Sequence, residues 1–311
     1  MQGSLANTPG FMILLAIPSQ VILPYSVGGL VFVIGLVVIF LRGDWQKARG
    51  FDKLILFGPL FYAMPLAAFG TEHFLFTRGI ASMVPEWIPW HMFWAYFVGT
   101  CFIAAALSMV TRIQARLAAM CLALTFFLFV VLMDIPGVLQ NPRDRIVLAL
   151  ALRELSFSGG ALALAASLSE QGRERGAQNL AHTLATVARY FIAIPVLFYS
   201  FEQFRHGDYV AGVPLNRVTP TYIFGHAIWT YVAAVGYAVA GIPLLLGKKT
   251  RVAAAWVGLT VLFVELVVYV PIGVVDRASV DNGLNYVFDT LMYCGAVLLL
   301  AGAMPRESSA D

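Results

Sequence analysis

Eight ionisable side chains stand inside or at the edges of long apolar runs. Glu72, His91, Asp134 and Glu154 belong to the first half of the chain, and Glu202, His226, Glu265 and Asp289 to the second. A charge at bilayer depth is costly, so such residues usually face a bundle interior and mark function. Their types suit three roles. A histidine among carboxylates can hydrogen-bond a ligand carbonyl and pass protons, because imidazole titrates near neutrality. Trp94 and Tyr96, with Trp229 and Tyr231, would then flank the ring of a quinone or similar lipophilic ligand. The same atoms suit zinc, iron or manganese, although one histidine per half without a tight ligand pair is a thin donor set, and no metal residue is assigned. In the plainest role they hydrogen-bond loop backbone at the membrane interface, where His, Trp and Tyr are ordinary anchors. Haem held by two histidines requires His91 and His226 to face each other. There is no phosphate loop, nucleophile elbow or CxxCH, so no catalytic residue is assigned.

These groups must be carried by membrane-spanning helices. The 311 residues are 60% hydrophobic and 12% charged, with a mean hydropathy of +0.80, whereas soluble domains carry about a quarter charged residues. A net charge of +3 offers no footprint for nucleic acid. Cys101, Cys121 and Cys294 sit in apolar runs without a CxxC, which reads as apolar filler. No Lys or Arg precedes the first apolar stretch, so that segment is expected as a retained helix rather than a cleaved leader.

Runs long enough to cross a bilayer lie at about 21–41, 54–71, 91–111, 117–135, 147–167, 188–204, 223–246, 252–270 and 284–303. Phe11–Ser19 is too short to span and is expected to be interfacial or irregular. Placing the Arg42–Lys53 loop in the cytoplasm and alternating sides puts thirteen Lys and Arg inside and six outside. That bias orients the N-terminus outward and the C-terminus inward. Glu72, His91, Asp134 and Glu154 then gather from four helices in the outer leaflet. The segment VPEWIPWHMFW is expected to lie on the outer surface, with Trp87, Trp90 and Trp94 at headgroup level.

The chain also repeats itself. A shift of 130 superimposes Phe61, Ala63, Pro65, Glu72 and Phe74 on Phe191, Ala193, Pro195, Glu202 and Phe204. Beyond a longer loop the shift becomes 135. It then pairs His91, Trp94, Tyr96, Arg116, Pro136 and Gly160 with His226, Trp229, Tyr231, Arg251, Pro271 and Gly295, and Glu154 with Asp289. Glu265 falls on Val130, one turn before Asp134. Four helices per unit make the units parallel in the membrane. The expected fold is all-α and transmembrane, with about nine helices. It comprises a lead-in and extra helix over 1–53, four-helix units over 54–167 and 188–303, a cytoplasmic linker over 168–187 and a cytoplasmic tail over 304–311. Within each unit the histidine and acids are expected to converge. Arg153 is expected to snorkel or to pair with a carboxylate.

The stretch GTEHFLFTRGIASMVPEWIPWHMFWAYFVGTCFIAAAL, with ELSFSGGALALA further on, resembles the DoxX-like family of bacterial membrane proteins. The resemblance covers about 54–167 well and reaches 188–303 mainly through the repeat. A fused pair departs from the family's usual single four-helix unit. The resemblance implies a multi-pass protein of the bacterial cytoplasmic membrane. It also implies association with quinone-linked redox systems, with quinone as the candidate cofactor and a membrane or periplasmic redox protein as partner. The alternative is a non-catalytic membrane protein, either a structural subunit or a binder or carrier of lipophilic molecules.

The charge count makes a direct prediction. A topology reporter fused after Asp311 will read as cytoplasmic and one inserted at Asn141 as external; both on one side would break the nine-span reading.

Overall fold

The computed structural model describes residues 18–169, 175–211 and 217–306. Nine helices among them are long and apolar enough to cross a membrane: α1 Ser19–Leu41, α2 Phe51–Leu75, α3 His91–Thr111, α4 Ala115–Gln140, α5 Arg145–Ser169, α6 Gly176–Arg205, α7 Ile228–Leu245, α8 Thr250–Val275 and α9 Asn285–Ala303. The protein is an all-α transmembrane bundle. Helices satisfy their own backbone polar groups, which a lipid-facing chain requires. The expected lead-in falls almost entirely outside the described residues. Where the sequence suggests a linker before 188, α6 begins at Gly176. Its first turns carry Gln178, Asn179 and His182, so the apolar run marks only its membrane-buried part.

The internal repeat is visible in local geometry. Arg112 and Gln114 both take left-handed backbone between α3 and α4, and Gly247 and Lys249 do the same between α7 and α8, each 135 residues on. A non-glycine residue there costs about 1–2 kcal/mol, so matching angles point to matching turns. The Trp94 indole donates to Pro89 O at 3.0 Å, and the Trp229 indole donates to Phe224 O. Pro136 and Pro271 do not end their helices. Each follows a π-turn, Val130–Asp134 and Glu265–Tyr269. A proline ring clashes with the carbonyl four residues back, which here belongs to Leu132 or Val267, and the wider turn absorbs that clash. Pro65 and Pro195 lie inside α2 and α6.

Packing joins the halves crosswise. α2 lies against α9, α5 against α6, and α5 against α9, while α1 flanks α2 and α3. Each unit's first helix therefore packs on the other unit's last helix, and α5 and α9 meet on a pseudo-twofold axis. Small residues allow this. A Cβ on Gly160 would stand 2.6 Å from Ala296 Cα, and one on Gly159 would stand 3.0 Å from Phe191 Cβ. A Cβ on Gly295 would run into the backbone of Phe61 and Tyr62. α9 is the most enclosed helix, with 83% of its apolar window buried against 28% for α1.

These contacts correct the expected alignment of the last helices. Gly159 meets Phe191 and Ile192 as Gly295 meets Phe61 and Tyr62. Similarly, Ser158 Oγ donates to Ala123 O as Cys294 Sγ donates to Gly258 O. Gly295 thus matches Gly159 rather than Gly160, and Asp289 matches Arg153 rather than Glu154. The one-residue slip is invisible to identity counting because Gly159 and Gly160 are adjacent.

Replacing Gly295 with Leu will lower stability by about 1–3 kcal/mol through overpacking. Gly29→Leu, on α1 with no neighbour within 4 Å, will change it by less than about 0.5 kcal/mol. Thermal unfolding of the detergent-solubilised protein reads both.

Candidate functional site

At the end of the bundle that carries segment 76–90, a cavity of about 560 Å³ opens among α2, α3, α4, α5 and the start of α9. Its wall is apolar and largely aromatic, including Phe69, Trp94, Phe97, Phe102, Phe129 and Phe157. Its polar groups are Glu72, His73, Arg153, Glu154, Asn285 and Asp289, with the Thr125 hydroxyl, which donates to Cys121 O. The volume and the mix of apolar wall with few polar groups are those of a small-molecule site.

Helix geometry explains the convergence. Glu72 and His73 close α2, while Arg153 and Glu154 lie about two turns into α5. Asn285 and Asp289 share one face of α9 at a spacing of four. Gly70 and Gly99 let α3 close on α2 beside His73, since a Cβ on Gly70 would stand 2.8 Å from Gly99 O. Met83, Val84, Pro85 and Ile88 cover the end of the cavity. This is the stretch expected on the surface. It does expose Trp87 and Trp90, at 71% and 77%, yet forms turns in which Val84, Pro85 and Ile88 are half-buried against the cavity.

Arg153 organises the polar groups. Its Nη1 lies 2.6 Å from Asp289 Oδ2 and its Nη2 lies 3.3 Å from Glu154 Oε1. It pairs with carboxylates, one of the two expected fates. Several buried atoms of the site have no partner: Glu72 Oε1, Glu154 Oε2, Asn285 Oδ1 and Arg153 Nε. His73 donates through Nδ1 to Phe69 O at 2.7 Å. That bond places the proton of the neutral ring on Nδ1 and leaves Nε2 as an acceptor.

Of the residues expected to converge, Glu72, Trp94, Glu154 and Asp289 line this cavity and His91 does not. His91 opens α3, beyond the cavity wall, and His73, directly after Glu72, supplies the imidazole instead. The adjacency of an acid and a histidine inside one apolar run was the available signal. Asp134 does not line the cavity, although its neighbour Met133 does, and its Oδ2 is unpartnered. Tyr96 faces outward, 44% exposed, and packs on Phe74.

The second unit does not repeat the site. Asp289 is drawn to Arg153 across the axis. Glu202 Oε2 stands 3.6 Å from His206 Nε2, too far for a hydrogen bond. Glu265 is buried in its π-turn with Oε2 unpartnered. His226 sits in the turns before α7, Tyr231 is exposed, and Trp229 packs on Phe263. The expected grouping of Glu202, His226, Glu265 and Asp289 is absent among the described residues. The reason is steric. Val210 and Ala211 are buried there, held by Thr230 Oγ1 donating to Tyr209 O at 2.7 Å and Tyr269 Oη donating to Ala211 O at 2.6 Å. Thr230 and Tyr269 are the counterparts of Ala95 and Asp134, so this segment fills the space that stays open in the first unit. α3 and α7 lie on opposite flanks of the axis, so His91 and His226 do not face each other as a haem pair. No group of three or more His, Cys, Asp or Glu among the described residues is placed to hold a metal ion.

Compared with known families, curated proteins and solved structures, the chain matches none.

The Arg153–Asp289 pair sets a quantitative expectation. Arg153→Met or Asp289→Leu alone will cost about 3–5 kcal/mol, because each leaves a buried charge behind. The double variant will recover much of that loss, and a double-mutant cycle on thermal unfolding measures the coupling. Additive losses would show that the two charges do not support each other.

Proposed function

We propose that the chain is an integral membrane subunit that holds a quinone or similar amphiphile in the first unit's cavity and serves a quinone-linked redox system. One observation carries this reading: an aromatic-walled cavity inside a membrane bundle ends on a compact set of hydrogen-bonding groups. Trp94, Phe102 and Phe129 line the cavity and would flank the ring, whose oxygens would meet Arg153, Glu72 and Glu154. Arg153 Nε has no partner and suits a ligand carbonyl. The resemblance to the DoxX-like family supports the redox association and a partner protein at the membrane.

Access also fits a ligand dissolved in the bilayer. Trp94 and Phe97 on α3 and Leu128 on α4 line the cavity while remaining exposed on the outer surface of the bundle. The cavity thus reaches the lipid-facing side between α3 and α4. The Lys and Arg distribution favours the outer leaflet for this end, with the N-terminus outside, and the family resemblance favours a bacterial inner membrane. A binder or carrier of other lipophilic molecules would use the same cavity and differ in what it holds.

Purified protein in lipid nanodiscs will bind a decyl-chain benzoquinone saturably, quenching tryptophan fluorescence. Val98→Trp, which fills the cavity, will weaken binding by about tenfold or more, equivalent to about 1.4 kcal/mol. Equal quenching in both proteins would show that the quinone partitions into lipid alone.

A further inference from the structure

At the end of the bundle opposite the first-unit cavity, an apolar groove of about 320 Å³ opens on the surface between α1, α2 and α8. Phe32, Leu54, Phe57, Phe61 and Leu262 line it. Trp45, in the connection before α2, and Lys53, in the first turn of α2, mark its end nearest the membrane surface. Aromatic rings form a continuous floor. Trp45 meets Phe57 edge-on at 5.9 Å, Phe57 stacks on Phe61 at 5.7 Å, and Phe61 stacks on Phe32 at 6.3 Å. From Lys53 to Phe61 the groove follows α2 for about 12 Å, at a rise of about 1.5 Å per residue. That is close to the depth of one hydrocarbon leaflet, about 15 Å.

Hydrocarbon must fill such a groove, because bilayer depth holds no water to do so. The charges around Lys53 decide which head group comes with it. The connection from Arg42 to Lys53 carries four cations and two acids, and cations from elsewhere hold both acids. Asp44 lies 2.7 Å from Arg112, closer than the 3.9 Å to Arg42. Asp52 lies 2.6 Å from Arg251 and 2.9 Å from Arg306. Lys53 is exposed and has no carboxylate partner among the described residues. Its ammonium stands 4.6 Å from the centre of the Trp45 ring, fixed over the end of the groove. A zwitterionic head brings its own cation to its phosphate, whereas an anionic head leaves a full negative charge for Lys53.

We propose that this groove is a site for an anionic phospholipid, with one acyl chain along Phe57, Phe61 and Phe32 and the phosphate on Lys53. It lies apart from the first-unit cavity and does not rest on what that cavity holds. The Lys and Arg distribution, which favours the cytoplasmic side for this end, agrees with it, since anionic lipids of that leaflet attract basic segments. The lipid completes the packing of α1, whose apolar window is 28% buried.

The test presents the whole chain with equal parts of phosphatidylglycerol and phosphatidylcholine bearing the same acyl chains, and counts the retained lipids by native mass spectrometry. Phosphatidylglycerol will be retained about fivefold over phosphatidylcholine, the ratio that about 1 kcal/mol for one cation near a membrane surface supplies. Lys53→Gln will bring the ratio close to one, and Lys53→Arg will keep it. Lys47→Gln removes the same charge from an exposed side chain outside the groove and will leave the ratio unchanged. Leu262→Trp, which fills the deep end, will lower retention of both lipids. Equal retention of the two lipids by the unaltered protein, or a preference that survives Lys53→Gln, overturns the site. Equal losses in Lys47→Gln and Lys53→Gln also overturn it, by showing a diffuse basic surface. A lipid-free dimer that Leu262→Trp abolishes would give the groove to a second copy of the chain instead.

Discussion

Arg153 and Asp289 hold opposite charges at matching positions of two duplicated helices, and they meet where those helices cross. The pair lies between halves rather than within either one. In a medium that cannot solvate ions, each charge makes the other tolerable. Gly160, whose added Cβ would stand 2.6 Å from Ala296 Cα, lets the two backbones come close enough for the contact. With Asp289 committed to this bond, the second unit lacks the acid its own cluster needed, and the first unit's cavity gains a wall contributed by α9.

The duplication therefore yields two similar bundles with unlike ends. Both units share the left-handed turns between their second and third helices, the indole caps and the π-turns ahead of Pro136 and Pro271. They diverge where the connecting segment after the first helix of each unit is longer in the second. That length lets Tyr209–Ala211 fold inward and take hydrogen bonds from Thr230 and Tyr269. The first unit has Ala95 and Asp134 at those positions, and its shorter segment covers the cavity without filling it. Parallel duplication supplied the symmetry, and one loop broke it.

α3 and α4 pack on α2 and α5 more closely than on each other, so aromatic side chains on their facing edges serve both the cavity and the bilayer. For a soluble protein this would be a defect in the core. For a membrane protein it is an opening whose rim is as apolar as the hydrocarbon around it.

Hydropathy alone determined the class and the nine spans, because about twenty apolar residues in a row have one stable home. Identity counting exposed the duplication, because a repeated unit keeps its prolines and its anchors. Glu72, Glu154 and Asp289 stood out because a carboxylate in hydrocarbon requires a partner. Which partner it found was a matter of tertiary structure. His73 displaced His91 because the imidazole that matters is the one turned inward at the end of α2, and facing is not written in position along the chain. The slip that matches Asp289 to Arg153 showed only in where Gly159 packs on α6 and Gly295 on α2. The filled second unit came from a loop whose sequence carries no sign of where it folds. Periodicity and burial read out locally, whereas contacts between helices far apart in the chain depend on crossing angle and depth, which only the assembled bundle sets.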